Sequence, residues 1–267
     1  KIGQTYSGDV TVNNSAALVT QGNFSTALTA QTIGGGGGVI NSAASGLNLG
    51  TLNHLGTASA GDVEVTNTSL IQTEGQYSSG IIVQTIGAGG GFVAGASAGS
   101  VTLGAVNGIS DTLGTSGNLT LLSTGPSITT LGEGATALLA QSIGGGGGFV
   151  GASKDGIVLG GQNQSNITAG DVDITNNSLI ETAGAASAGL IAQSIGGGGG
   201  VVSIVNSELI ELGGNNLLNA SAGSVTLQNT ADITTLGVTS PNIMVQSIGG
   251  GGGFTTLDQD LTSATSD

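Results

Sequence analysis

The stretch QSIGGGGGF at residues 141–149 decides the fold of this chain, because closely similar stretches occur four more times. Each has a Gln-[Ser/Thr]-Ile triplet, a glycine block and then Val or Phe; the triplets begin at Gln31, Gln84, Gln141, Gln193 and Gln246, at spacings of 53, 57, 52 and 53 residues. Four blocks are uninterrupted, and the second carries Ala88 in place of one glycine. Self-similarity at a fixed period of this length is the signature of a stacked repeat architecture.

Two further stretches recur in every unit ahead of the glutamine, exemplified by GDVEV at 61–65 and IQTEG at 71–75. We therefore expect a single repeat array over residues 1–267, built from five repeats of ~53 residues. Its units cover residues 1–40, 41–93, 94–150, 151–202 and 203–255. Residues 256–267 read as the start of the next unit, so the array is expected to be a fragment of a longer solenoid.

Apolar and polar residues alternate in the recurring stretches, as in Val63-Glu64-Val65, and this period of two predicts β-strands. A helical interpretation fails because 53 of the 267 residues are glycine, and each interior glycine costs a helix roughly 1 kcal/mol relative to alanine. The repeated turn signals are single glycines or Asn pairs, not the Asn-Gly and Asp-Gly turns of antiparallel hairpins. The sequence therefore predicts an all-β parallel β-solenoid, with about five short strands and roughly two to three coils per unit.

The composition excludes several functional classes. Sixteen acidic residues face two lysines, Lys1 and Lys154, and no arginine, which gives a net charge of −14. Because phosphates are bound mainly by Lys and Arg, we expect no nucleic-acid partner. The chain has no cysteine, which excludes disulfides and thiolate metal sites. No apolar run reaches the ~18 residues of a membrane-spanning helix, so we expect no membrane insertion by this segment. Two Tyr and four Phe are few for a globular core and favour a narrow interior of aliphatic ladders.

The glycine blocks are interpreted as architecture and not as a ligand site; they begin at Gly34, Gly87, Gly144, Gly196 and Gly249. A P-loop ends in Gly-Lys-[Ser/Thr], whereas these blocks end in Gly-Val or Gly-Phe, and they lack the acid of calcium-binding nonapeptide repeats. Glycine is needed where φ is positive or where a neighbouring backbone leaves no room for a Cβ atom. We expect the blocks to stack into a strip without side chains, and the position of Ala88 to keep a negative φ.

The recurring polar positions admit two interpretations each. The glutamines could form a buried ladder of amides bonded along the stack, which their small apolar neighbours favour, or could be exposed turn residues. Asp9, Asp62 and Asp171 align in a turn position where other units have Asn118 and Ser224. Because a metal site would tolerate that replacement poorly, a solvated turn is the favoured interpretation.

We assign no catalytic, cofactor-binding or metal-binding residue from the sequence. His54 is the only histidine, and no nucleophile–base pair repeats with it. Asp171 and Asp173 share a strand face, as paired hydrolytic carboxylates would, but the equivalent residues one unit earlier are Asn118 and Thr120. The pair therefore indicates a polar outer face, and the chain is expected not to be an enzyme and to need no cofactor.

The QSIGGGGG blocks, with the GDV-x-[Val/Ile]-x-N and I-x-T-x-G stretches between them, resemble the passenger repeats of bacterial autotransporter and related adhesin-like surface proteins. The resemblance covers essentially all 267 residues. It implies a right-handed parallel β-helix that is exported across the outer membrane and displayed at the cell surface or in an extracellular fibre. It carries no implication about a particular ligand.

We expect a structural or adhesive extracellular segment that acts as an elongated stalk and contact surface. Its expected partners are its own neighbouring repeats, and beyond them other copies of the chain or a cell-surface or polysaccharide receptor. Two alternatives stay open. One is a polysaccharide-binding or polysaccharide-degrading β-helix protein, although such sites usually use Arg or Lys. The other is an ice-binding flat face, suggested by Thr-rich stretches such as 128–130 but interrupted by Gln72 and Glu181 in other units.

Overall fold

The structure is a computed structural model that describes residues 3–41, 46–50, 56–95, 99–104, 113–153, 155–205, 209–215 and 217–256. Within these ranges every regular element is a β-strand, and the strands pair in parallel. The predicted all-β parallel β-solenoid is therefore confirmed. Parts of each variable segment between a glycine block and the next GDV-like stretch lie outside the described residues, as do Lys1, His54 and Lys154.

The described strands form six sheets, which we name A to F in the order in which the chain first enters them. Sheet A contains β1 (Gly3–Tyr6), β7 (Gly56–Ser59), β13 (Leu113–Thr115), β19 (Ser165–Thr168) and β25 (Leu218–Ser221). Sheet B contains β2 (Val10–Asn14), β8 (Val63–Asn67), β14 (Leu119–Ser123), β20 (Val172–Asn176) and β26 (Val225–Asn229). Sheet C contains β3 (Leu18–Thr20), β9 (Ile71–Thr73), β15 (Ser127–Thr130), β21 (Leu179–Thr182) and β27 (Ile233–Thr235).

The other three sheets follow the same order along the chain. Sheet D contains β4 (Leu28–Ile33), β10 (Ile81–Ile86), β16 (Leu138–Ile143), β22 (Leu190–Ile195) and β28 (Ile243–Ile248). Sheet E contains β5 (Gly37–Ile40), β11 (Gly90–Val93), β17 (Gly147–Ser153), β23 (Gly199–Val205) and β29 (Gly252–Thr255). Sheet F contains β6 (Leu47–Leu49), β12 (Val101–Leu103), β18 (Ile157–Leu159) and β24 (Ile210–Leu212).

Each repeat unit makes one coil of the solenoid: the first four coils have one strand in each of the six sheets, and the described part of the fifth has one in each of sheets A to E. Strand β10 pairs with β4 on one side and β16 on the other, and Gln84 lies in register with both Gln31 and Gln141. The prediction of two to three coils and about five strands per unit is therefore wrong. A whole unit of about 53 residues adds only the ~4.8 Å that separates paired strands.

The coil is long because part of the chain runs through its interior. In the second coil all six residues of β10 are buried, as are all four residues of β11. One face of sheet D packs with sheets B and C, as Ile81 and Val83 do, and its other face packs Ile82 against Phe92 of sheet E. The opposite face of sheet E packs on sheet F through Val93. The interior is thus divided into layers by sheets D and E. It is not the narrow interior that the sequence predicted.

Side-chain alternation explains why sheet B lies on the outside and sheet D inside. In β8, Val63 and Val65 are buried while Glu64 between them is exposed, so one face of this strand is exposed to solvent. In β10 the run from Ile81 to Ile86 has no charged residue and suits burial on both faces. Strands buried on both faces read as continuous apolar runs instead of alternating patterns. The local pattern is therefore compatible with burial of both faces in β10 but of only one face in β8.

A tight turn between sheets C and D recurs in every coil and is held by the threonine of the I-x-T-x-G stretch. In the third coil the Thr130 hydroxyl donates to the Ala135 carbonyl at 2.6 Å, and in the fourth Thr182 donates to Ser187 at 2.7 Å. Equivalent bonds occur at the other coils from Thr20, Thr73 and Thr235. The only threonine position filled in all five coils is therefore used for a backbone contact within the turn.

Candidate functional site

The glycine blocks turn the chain from sheet D into sheet E. In the third coil residues 144–146 form the bend, and Gly147 and Gly148 begin β17. All five glycines of this block are buried. The bend also lies against sheet A, since a Cβ atom on Gly144 would stand 2.8 Å from the carbonyl carbon of Thr168. The blocks therefore line the interior junction of three sheets.

The first glycines of the blocks lie over one another along the stack. A Cβ atom on any of the first four would stand 2.5 to 2.7 Å from the carbonyl oxygen of the equivalent glycine in the next coil; these are Gly34, Gly87, Gly144 and Gly196. Gly249 belongs to the last of the five coils and has more room, with its nearest atom at 3.7 Å. The steric demand thus comes from the neighbouring coil and not from the residue's own loop.

The fourth and fifth glycines have both a steric and a conformational reason to be glycine. Gly147 has a φ of 136° and Gly148 a φ of 142°, values that residues with a Cβ atom rarely adopt. An added Cβ on Gly147 would overlap the carbonyl oxygen of Gly199 in the next coil, and one on Gly148 would overlap that of Gly91 in the previous coil. A side chain is therefore excluded at Gly147 by the next coil and at Gly148 by the previous coil.

The second position of the block is conformationally ordinary. Neither Ala88 nor its equivalent Gly145 has a positive φ, whereas the third position does, with 103° at Gly89 and 94° at Gly146. This agrees with the expectation that Ala88 keeps a negative φ. The alanine is also buried, so the strip is closed to solvent in the middle coils.

The repeated glutamines form one continuous ladder of side-chain amides in sheet D. The Nε2 amide of Gln84 donates to Oε1 of Gln141 at 2.7 Å, and Gln141 donates likewise to Gln193 at 2.8 Å. The ladder extends to both ends, because Gln31 donates to Gln84 and Gln193 donates to Gln246. The three central glutamines are completely buried. Every rung donates towards the following coil, so the ladder has a direction.

Asparagines that close the GDV-x-[Val/Ile]-x-N stretch form a second, interrupted column, which was not expected from the sequence. Asn14 donates to Asn67 at 2.7 Å, and Asn176 donates to Asn229 at 2.8 Å. Ser123 takes this position in the third coil, where its hydroxyl lies 2.9 Å from that of Ser178. The signal was present, since the asparagine repeats at the same offset in four units.

Aspartates at the turn before sheet B connect successive coils from the outside. Oδ1 of Asp9 accepts the backbone N–H of Asp62 at 2.9 Å, and Oδ1 of Asp62 accepts that of Asn118 at 2.7 Å. The Asn118 side chain accepts from Asp171 at 3.0 Å, and Asp171 accepts from Ser224 at 2.7 Å. These side chains are exposed, so the column is a solvated turn that also bonds one coil to the next.

Replacement of Asp62 separates its role as an acceptor from its charge. Asp62→Ala should lower the free energy of unfolding by about 0.5–1.5 kcal/mol because the N–H of Asn118 loses its partner. Asp62→Asn should change it by less than about 0.5 kcal/mol, since an amide oxygen can accept the same bond, as Asn118 does for Asp171. Urea unfolding of both variants checks this, and equal losses would show that the charge matters and the bond does not.

An acidic groove of about 440 Å³ runs along the outer face of sheet B. Its lining includes five carboxylates together with Thr11, Asn118 and Thr120; the carboxylates belong to Asp9, Asp62, Glu64, Asp171 and Asp173. Asp171 and Asp173, the pair considered for hydrolysis, therefore lie in one groove with acids from other coils. In the part of the chain that the structure describes, no Lys or Arg accompanies them, and no group of three or more His, Asp or Glu is placed to hold a metal ion.

Gln164 is a buried polar side chain, and neither of its amide atoms has a hydrogen-bond partner among the described residues. It packs beside Gly145, in the glycine block of the third coil, and beside Gly161. Ser165 lies in register with Leu218, so the equivalent of Gln164 in the fifth coil is Leu217. Leu217 packs in the corresponding place, beside Gly197 and Gly214. The site is thus shaped for an apolar side chain of this size.

Gln164→Leu should therefore stabilise the protein. The change removes an unpaired buried amide, whose burial costs about 1–3 kcal/mol, and keeps the volume that fills the site. Thermal unfolding should show a higher Tm, with Gln228→Leu as a control because Gln228 undergoes the same change at an exposed position of β26. A fall in stability for Gln164→Leu would mean that the amide has a partner, such as an ordered water molecule.

No helix in the described residues is long and apolar enough to cross a membrane. Comparison with known proteins adds no identity: no protein-family model matches the chain, and neither the curated proteins nor the solved structures contain a match. The functional conclusion therefore depends on the geometry of this chain itself.

Proposed function

We propose that this chain is a structural and adhesive repeat segment of an extracellular bacterial surface or fibre-forming protein. The observation that carries the proposal is how repeated and variable residues divide between inside and outside. Positions that repeat in all five coils, such as the glutamine ladder and the threonines of the turns, serve contacts within and between coils. The outward-facing position next to that threonine is exposed or half-buried, and its residue changes from each coil to the next: Val19, Gln72, Thr129, Glu181 and Thr234.

A surface of this kind suits contacts spread over many coils better than one repeated ligand site. A repeated ligand site needs the same exposed residues in each coil, and neither the acidic groove nor the outer face of sheet C has them. The interrupted threonines on sheet C likewise give little support to an ice-binding face. We therefore place the contact function on the varied lateral faces of the stack.

The geometry gives a thick, stiff body that gains little length along its axis for each residue. A coil of about 53 residues adds ~4.8 Å to the stack, whereas the same residues in a helix would span about 80 Å. Five coils thus form a body only about 24 Å tall along the axis. An axial load is shared among the hydrogen bonds of six sheets. A stalk built in this way becomes long only with many coils. It resists bending, however, and has a large lateral surface.

We propose a location outside the cell, at the bacterial surface or in a secreted fibre. The resemblance to passenger repeats supports this location, and the net charge of −14 supports a solvated exterior. The proposed partners are neighbouring repeats and a cell-surface or polysaccharide receptor. We propose no enzymatic activity, cofactor or nucleic-acid partner.

Antibodies raised against the purified chain test the location and the function together. Applied to intact, unpermeabilised source cells, they should label the exterior or its fibres in electron micrographs. Label that appears only after permeabilisation would overturn the proposal. Incubation of the chain with polyuronides tests the enzymatic alternative, in which turnover lost in Asp173→Asn would be expected, and thermal hysteresis tests the ice-binding alternative.

A further inference from the structure

We draw no further inference here: the strongest candidate, the acidic groove along the outer face of sheet B where Asp62, Asp171 and Asp173 lie, is a cluster of exposed carboxylates, and no second feature of the described residues indicates what it would bind.

Discussion

Gly147→Ala should lower the free energy of unfolding by more than about 3 kcal/mol, because two costs act at one residue. The φ of 136° is strained for alanine, and the added Cβ would overlap the carbonyl oxygen of Gly199 in the next coil. Since Gly199 is itself held in sheet E by pairing with both neighbouring coils, the stack cannot shift at this point without breaking ladder bonds. Urea unfolding followed by circular dichroism measures the loss. Gly147→Val should be at least as damaging.

Gly250→Ala is the matched control from the same motif. Gly250 is the second glycine of the fifth block; it has no positive φ, and a Cβ there would meet no atom within 4 Å. Its replacement should change stability by less than about 0.5 kcal/mol. If Gly147→Ala were as mild as this control, the glycine block would be a local bend without contact between coils, and the stacked strip would be wrong.

Gln141→Leu should cost about 2–6 kcal/mol, because it breaks the amide ladder at its centre and leaves two buried groups unpaired. Nε2 of Gln84 loses its acceptor and Oε1 of Gln193 loses its donor, and both glutamines are completely buried. The apolar leucine offsets part of this loss by its own burial. Chemical unfolding measures the net effect, and a far-ultraviolet spectrum like that of the wild type shows that the β-structure is kept.

The end of the ladder provides the graded comparison. Gln246→Leu removes only the acceptor for Gln193, in a coil that is partly exposed. It should therefore cost about 1–3 kcal/mol or less. Equal effects of Gln141→Leu and Gln246→Leu would show that the amides do not act through their bonds to both neighbours. The opposite result, a central loss at least twice the terminal one, is the signature of a continuous ladder.

The architecture places strong demands on interior residues and few on exterior ones. On the outer faces of sheets B and C the residue varies between Thr, Glu, Asp, Gln and Val from coil to coil. The glutamine ladder keeps one residue type, and the glycine bends do so except at Ala88. This separation allows the exposed residues to change without altering the stack. It also explains why the acidic groove has different residues at each level: its aspartates are needed as acceptors for the next coil, and Asn118 serves as well.

The stacking of equivalent residues could be predicted from the sequence, but the path of the chain within one coil could not. The glutamine and glycine spacings predict the stacked register, because in-register parallel pairing requires equivalent residues at a fixed period. They do not reveal whether a unit winds once or several times. Nor do they reveal that the run from Ile81 to Ile86 lies buried on both faces between sheets B and E.

Sequence by itself determined the strand class, the repeat length, the scarcity of cationic residues and the need for glycine at the bends, because these follow from local side-chain chemistry and backbone geometry. Only the tertiary structure decided that one unit is one six-stranded coil and that each added unit thickens the body by a single strand spacing. The reason is physical: whether a strand lies on the rim or passes through the middle depends on what packs on its second face. That partner lies ten or more positions away in the sequence, as Phe92 does for Ile82 of the preceding strand and Leu121 for Val83.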